Sequence, residues 1–210
     1  DQGCADITLA LGGSATNDGG MGMLRALGVR FLDEGGHMLA GCGADLSHVA
    51  LIDAAGLDPR LAGVRVAAMC DVDNPLTGPL GASAVFGPQK GASPEDVALL
   101  DEGMRRYAAC VRAAVGRDVE QVPGAGAAGG LGAACLAFLD ARLRSGIETV
   151  LDLMGFENLL GQADLVVTGE GHADSQTAHG KVVSGVAAAC RRHGVPCIAL
   201  VGGMDPGADA

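Results

Sequence analysis

The sequence predicts an α/β protein built around parallel strands, on three observations. Short apolar runs at residues 5–11 and 64–70 stop abruptly in polar, glycine-bearing loops. A long amphipathic helix follows Ser93. Beyond residue 160 the pattern reads strand, helix, strand, with both strands short and continuously apolar, the signature of a parallel βαβ unit.

The elements follow in order. "ADITLAL" (5–11) carries Ile and Thr and reads as a strand, stopped by the loop "GGSATNDGG" (12–20). "MGMLRALG" then reads as a short helix ended by Gly28. "VRVAAMC" (64–70) is a second buried strand, ending in "DVDNPLTGPLG". Ser93 is a natural N-cap, Pro94 suits the first helical position, and Glu95 and Asp96 suit the positive end of the helix dipole. Val97, Leu100, Met104, Tyr107, Val111 and Val115 recur at three- and four-residue intervals and build one apolar face. A further helix is expected through "GLGAACLAFLDARLR", entered from the loop "PGAGAAGGLG". The closing βαβ unit is "ADLVV", a polar loop, "VVSGVAAACRRHG" with Val182, Val186, Ala189 and Cys190 on one side and Gly194 at its end, then "PCIALVGG". The change of pattern places a domain boundary between residues 155 and 163.

Composition narrows the function classes. Aromatic residues are one Tyr and four Phe, so the core must come mainly from Ala, Val, Leu, Ile and Met. The 35 glycines lack collagen's period and cluster in loops beside apolar runs, as where backbone approaches a ligand closely. Fourteen basic against 25 acidic residues give a net charge of −11, which argues against nucleic acid or an anionic membrane as partner. An anionic small substrate stays open, because a few lysines and backbone N–H groups outweigh the global field locally. The seven cysteines are odd in number, widely spaced and without a CxxC pair, and read as small buried residues of a reduced cytoplasm. No apolar run reaches the ~18 residues of a membrane span and no signal peptide is evident. The chain opens at "DQGCADITLAL" without Met and closes at "VGGMDPGADA", so both ends read as cut from something longer.

The candidate chemistry lies in the loops after strands. "GEGHADSQTAHGK" (169–181) concentrates acids, histidines, hydroxyls and a lysine between a strand and a helix. Its Gly-Lys pair is not a Walker A loop, because residue 175 is Ser and residue 182 is Val. Its position fits ligand binding beyond the carboxyl end of a strand, with Lys181 near a helix N-terminus for an anion. Glu170 and Asp174 are candidates for magnesium or for accepting a hydroxyl proton. "CDVDNPLTGP" sends Asp71 and Asp73 off the end of a buried strand together, a candidate magnesium pair, although Asn74-Pro75 also suits a plain turn. "GGSATNDGG" offers Ser14, Thr16, Asn17 and Asp18, with turn chemistry as the competing reading, and "FGPQKGAS" adds Gln89 and Lys90. "GAGAAG" (124–129) matches G-x-G-x-x-G literally. Pro123 before it and the absence of a good preceding strand argue against a dinucleotide fold, leaving phosphate cradling or tight packing open. His172 and His179 lack metal-ligand spacing, His37, His48 and His193 read as surface or capping residues, and no G-x-S-x-G elbow occurs.

Taken in order, "LGGSATNDGGMGMLRALG", "CDVDNPLTGPLGASAVFGPQKGAS", "PGAGAAGGLGAACLAFL" and "ADLVVTGEG…DSQTAHGK" resemble the bacterial glycerate kinase type 1 family through essentially the whole chain. The resemblance implies phosphorylation of D-glycerate, usually to 2-phosphoglycerate, with ATP and Mg2+ as cofactors, a cytoplasmic location and possible homo-oligomers. It implies a two-domain architecture, a flavodoxin-like parallel-sheet domain only partly present here (161–210) and a second α/β domain inserted into it (1–160). It also implies that a first strand with an Asp-, Ser- and Lys-bearing loop precedes this chain in the family. Among these residues, Asp174, Lys181 and Asp71 are the candidate catalytic groups, with Asp174 as general base. Asp71, Asp73 and Glu170 are the metal candidates. Lys90 and Lys181 would bind phosphate or carboxylate, and Ser14, Asn17, Asn74 and Thr77 would orient the ligand. One departure stands out: the family pattern has Arg and a larger apolar residue where this chain has His172 and Ala173. Histidine lacks arginine's permanent forked charge, which bears on substrate affinity or choice. The competing readings are a kinase for another small hydroxy acid and a non-catalytic ligand-binding module.

Overall fold

A computed structural model describes residues 3–172 and 182–205. The chain divides into two compact units, residues 1–143 and 144–210. The break falls ahead of the 155–163 zone read from the sequence. The reason is packing: residues 146–160 form two helices whose apolar side chains join the core of the second unit.

In the first unit, β1 (Asp6–Ala10) pairs in parallel with β4 (Arg65–Met69), from Asp6 against Arg65 to Ala10 against Met69. A third strand, β5 (Arg142–Arg144), extends this sheet in the order β1-β4-β5. A separate antiparallel pair, β2 (Arg30–Leu32) and β3 (Leu51–Asp53), lies between β1 and β4 in the chain. The helices are α1 (Met21–Ala26), α2 (Ala82–Phe86), α3 (Pro94–Val115) and α4 (Ala127–Phe138). α3 begins as its sequence requires. Ser93 Oγ accepts the Asp96 N–H, the Asp96 carboxylate accepts the Ser93 N–H, and Gly116 ends the helix at φ 70°. Its apolar face buries Met104, Tyr107 and Val111 in a core shared with Met21, Leu24, Phe31, Leu46 and Leu76. Tyr107 and Phe31 meet with ring centroids 6.3 Å apart. A smaller core of Leu11, Val66, Ala68, Ala127 and Cys135 lies at the sheet. The short Ala and Gly side chains reflect a chain with few aromatics to fill space.

The helix expected over "GLGAACLAFLDARLR" stops at Phe138. Asp140 takes a left-handed φ of 49°, the Ala141 N–H turns back to the Cys135 carbonyl, and residues 142–144 become β5. Cys4 and Cys42 are exposed, which corrects the expectation of buried cysteines for those two, whereas Cys135 and Cys190 are buried.

The second unit contains α5 (Gly146–Leu153), α6 (Phe156–Leu160), β6 (Val166–Glu170), α7 (Val182–His193) and β7 (Cys197–Val201). β6 and β7 are parallel, Val166 against Cys197 through Glu170 against Val201, as the βαβ pattern requires. Leu160, Val186, Ala189 and Cys190 form the core, with Ile147, Leu151 and Phe156 packed on it. No helix among the described residues is long and apolar enough to cross a membrane.

Candidate active site

The parallel register of β1 and β4 fixes where polar chemistry collects. Both strands end at the same side of the sheet, and the Leu11 N–H still reaches the Met69 carbonyl at 3.3 Å. The loops leaving them, 12–18 and 70–75, therefore emerge side by side at carboxyl ends, where open α/β sheets bind ligands.

A cavity of about 280 Å³ opens there, lined among others by Gly13, Ser14, Cys70, Asp71, Gln89 and Lys90. Three of the sequence candidates, Ser14, Asp71 and Lys90, come together in it. Lys90 arrives from a 3₁₀ turn (Pro88–Lys90) just after α2. Its Nζ donates to Ser14 Oγ at 3.1 Å and to the Thr16 carbonyl at 2.7 Å, tying the turn to a loop 76 residues away. Burial lowers the Lys90 pKa, with the nearby Asp18 carboxylate pulling the other way. Cys70 Sγ sits 3.1 Å from the Val72 carbonyl, and burial pushes its thiol pKa up, with Asp71 and Asp73 adding to the rise. Both effects disfavour the thiolate, the reactive form of a cysteine.

The "GAGAAG" loop supplies Ala127 and Ala128 to the same cavity. It is held by close backbone packing. Residues 128–130 take left-handed backbone at the start of α4. A Cβ on Gly129 would lie 2.0 Å from the Thr16 carbonyl oxygen, and one on Gly130 would lie 2.7 Å from Gly19 Cα. Only glycine lets the loop lie directly on residues 16–19. Tight packing is therefore what these two glycines do.

Other candidates are placed elsewhere. Asn17 lines a neighbouring cavity, donating from Nδ2 to Ser83 Oγ at 3.0 Å. Thr77 is buried, donates to Glu120 Oε1 at 2.8 Å and accepts from Gln121 Nε2 at 3.2 Å, so its hydroxyl is engaged in the fold. Asn74 Nδ2 closes its own turn on the Leu80 carbonyl at 2.8 Å. Asp73 is exposed and does not line the cavity. Glu170 ends β6 in the second unit, with Oε1 shielded from solvent and no partner among the described residues. His172 Nε2 lies 2.9 Å from Asp205 Oδ1, so its ring is paired with an acid. Asp174 and Lys181 lie outside the described residues.

Sequence reasoning missed Cys70 and Phe86 as parts of the cavity wall, and offered the loop that carries Ala127 and Ala128 only as a phosphate cradle or a packing element. Cys70 had a signal, its place directly before Asp71 at a strand end, whereas Phe86 and the alanines carry no polar signature. Among the described residues no group of three or more His, Cys, Asp or Glu side chains is placed to hold a metal ion. A Mg2+ site does not need one, since magnesium is commonly held by one or two carboxylates together with substrate phosphates. Asp71 in the cavity has the required chemistry.

A family model described as the glycerate kinase family matches residues 1–210. Glycerate kinase of Halalkalibacterium halodurans is 48% identical over 210 residues, covering 100% of this chain and 55% of the relative. Glycerate 2-kinase of Escherichia coli K12 is 47% identical over 204 residues, covering 97% and 54%. The crystal structure of a protein described as glycerate kinase 2 from Salmonella typhimurium LT2 superposes with a TM-score of 0.87 at 51% identity, over 95% of this chain and 53% of that one. The chain thus spans about half the length of the curated relatives it matches.

Proposed function

The chain belongs to the glycerate kinase family, and from that membership we propose ATP-dependent phosphorylation of D-glycerate to 2-phosphoglycerate, with the cavity at the ends of β1 and β4 as the acid-binding site. The observation that supports this reading is the meeting of Ser14, Asp71 and Lys90 in one cavity of small-acid size. The Lys90 ammonium neutralises a carboxylate or a transferring phosphoryl group, and Ser14 Oγ and the Gln89 amide hydrogen-bond hydroxyls beside it.

Phosphoryl transfer needs positioning and charge neutralisation more than covalent chemistry from the protein. A glycerate hydroxyl oxygen bonds to the γ-phosphorus, and the bond from that phosphorus to the bridging oxygen of ADP breaks. The hydroxyl proton passes to a carboxylate, a role assigned to Asp174. Mg2+, when bound, offsets phosphate charge, and Asp71 would hold it, with Asp73 and Glu170 as the further carboxylates proposed from the sequence. Lys181 is proposed as a second phosphate-binding cation.

The test is a coupled assay for ADP release on the protein encoded by the complete reading frame, with the product identified by phosphorus NMR. Asp71→Asn is expected to lower kcat by about 10²–10³-fold with folding intact, as for the loss of one electrostatic transition-state contact. Lys90→Met is expected to raise the KM for glycerate by roughly 10–100-fold, as for a lost charged hydrogen bond. Acid affinity should also fall as pH rises through the lowered Lys90 pKa. Fold stability moves the other way: the folded-state pKa lies below the unfolded one, so deprotonation relieves the burial cost and stability rises with pH between the two. Unchanged turnover in Asp71→Asn removes the assignment.

A further inference from the structure

A second cavity, about 470 Å³, lies on the other side of Lys90. Lys90 is the one described residue that lines both. Ser14 faces the first cavity, and Ala15 and Asn17 face the second. In the following turn Phe86 and Gln89 line the first, and Gly87 and Gly91 the second. Among the described residues the partners of Lys90 Nζ are Ser14 Oγ and Thr16 O, which use two of the three ammonium donors.

The second cavity differs in character from the first. Leu99 and Leu100 of α3, with Ala44 and Ala92, give it apolar walls, and Leu99 leaves 69% of its surface to solvent. Asn17 and Ser47 supply polar edges. Its one acid, Asp96, already accepts from the Ser93 N–H and Oγ–H at 3.0 and 2.7 Å in capping α3. Lys90 is its one lining cation. A ligand suited to it has a body with apolar surface for Leu99 and Leu100 and an anionic end that reaches Lys90. Its volume falls in the range of small-molecule sites, about 300–1,000 Å³.

We propose that this second cavity holds the nucleoside part of the phosphoryl donor, with the base against Leu99 and Leu100 and the phosphates directed to Lys90. This rests on the kinase reading above. With the acid in the first cavity and the nucleoside in the second, the transferred phosphoryl group lies beside Lys90, where one ammonium serves both ligands. Charge that develops during transfer then meets a cation already fixed by two hydrogen bonds.

The test is calorimetric titration of the protein encoded by the complete reading frame, with ADP and with D-glycerate separately. Leu99→Asp changes an exposed side chain and places a carboxylate on the expected base surface. It should weaken ADP binding by about tenfold or more and leave glycerate affinity within about twofold. Leu99→Phe, which keeps the apolar surface, should retain ADP affinity within about threefold. Unchanged ADP affinity in Leu99→Asp overturns the proposal, as does equal weakening of both ligands or competition between them in the unmodified protein. Glycerate binding without ADP binding also overturns it while sparing the reading of the first cavity. Failure of both ligands to bind overturns the kinase reading as well.

Discussion

Two glycines, one in each unit, make room for different neighbours: Gly129 in the first unit lets backbone lie on backbone, and Gly185 in the second admits a side chain. Gly129 rests against the Thr16 carbonyl, while Gly185 on α7 faces the side chain of Ile147 on α5. The polar loops of the two units differ as well. In the first unit Lys90 is fixed on Ser14 and Thr16, Asn17 on Ser83, and Asp18 accepts the Gly20 and Gly22 N–H groups at 2.9 and 3.2 Å. In the second unit Glu170 holds a shielded oxygen without a partner among the described residues, and the His172–Asp205 pair is exposed. Groups already fixed by partners lose little freedom when a ligand arrives. The polar loops of the first unit are therefore preorganised, and the seat of one of them depends on a glycine contact that tolerates no extra atom.

The sharpest attempt to break this contrast is Gly129→Ala. Its φ of 66° strains any L side chain, and its Cβ would collide with backbone that cannot rotate away. The expected loss is about 3 kcal/mol or more, read as a fall in the denaturant midpoint of the first unit. Gly185→Ala is the matched change in the second unit. Its Cβ would lie 2.5 Å from Ile147 Cγ1, so a side chain must shift, and the overpacking is partly offset by alanine's helix preference. A net loss near 1 kcal/mol is expected. Should Gly185→Ala prove the costlier, collision with backbone rather than side chain is not what sets the cost at these two sites. The smallest effect belongs to Tyr107→Phe. The Tyr107 hydroxyl is fully buried with no partner among the described residues, so removing it should leave stability unchanged or raise it by about 1 kcal/mol in thermal or chemical unfolding. A clear loss would reveal a hydrogen bond that the first unit makes only in solution.

What the sequence made legible follows the range of the forces involved. The α3 start at Ser93 and the βαβ pattern of β6, α7 and β7 depend on neighbours a few residues apart, and both are found as read. Ser145, Gly155 and the apolar spacing over 146–160 carry a helical signal for α5 and α6 that is weaker than the strand patterns beyond it. Thr77 shows the opposite limit. Its loop has the composition of a ligand site, but its hydroxyl is engaged by Glu120 and Gln121, more than forty residues further on. The cavity wall was half legible for a similar reason. Asp71 announces itself at a strand end, whereas the division of one polar region into two cavities depends on Lys90 reaching across 76 residues to Ser14.

The parallel pairing of β1 with β4 also has a kinetic consequence. Asp6 and Arg65 are bridged across 59 residues, so the chain between them must close into a loop for the two strands to meet. Closing so long a loop is slow relative to forming a helix such as α3. The cavity is thus among the last features of the first unit to assemble during refolding. Recovery of ligand affinity should lag recovery of helical circular dichroism, so the binding of a small acid would time the completion of long-range strand pairing.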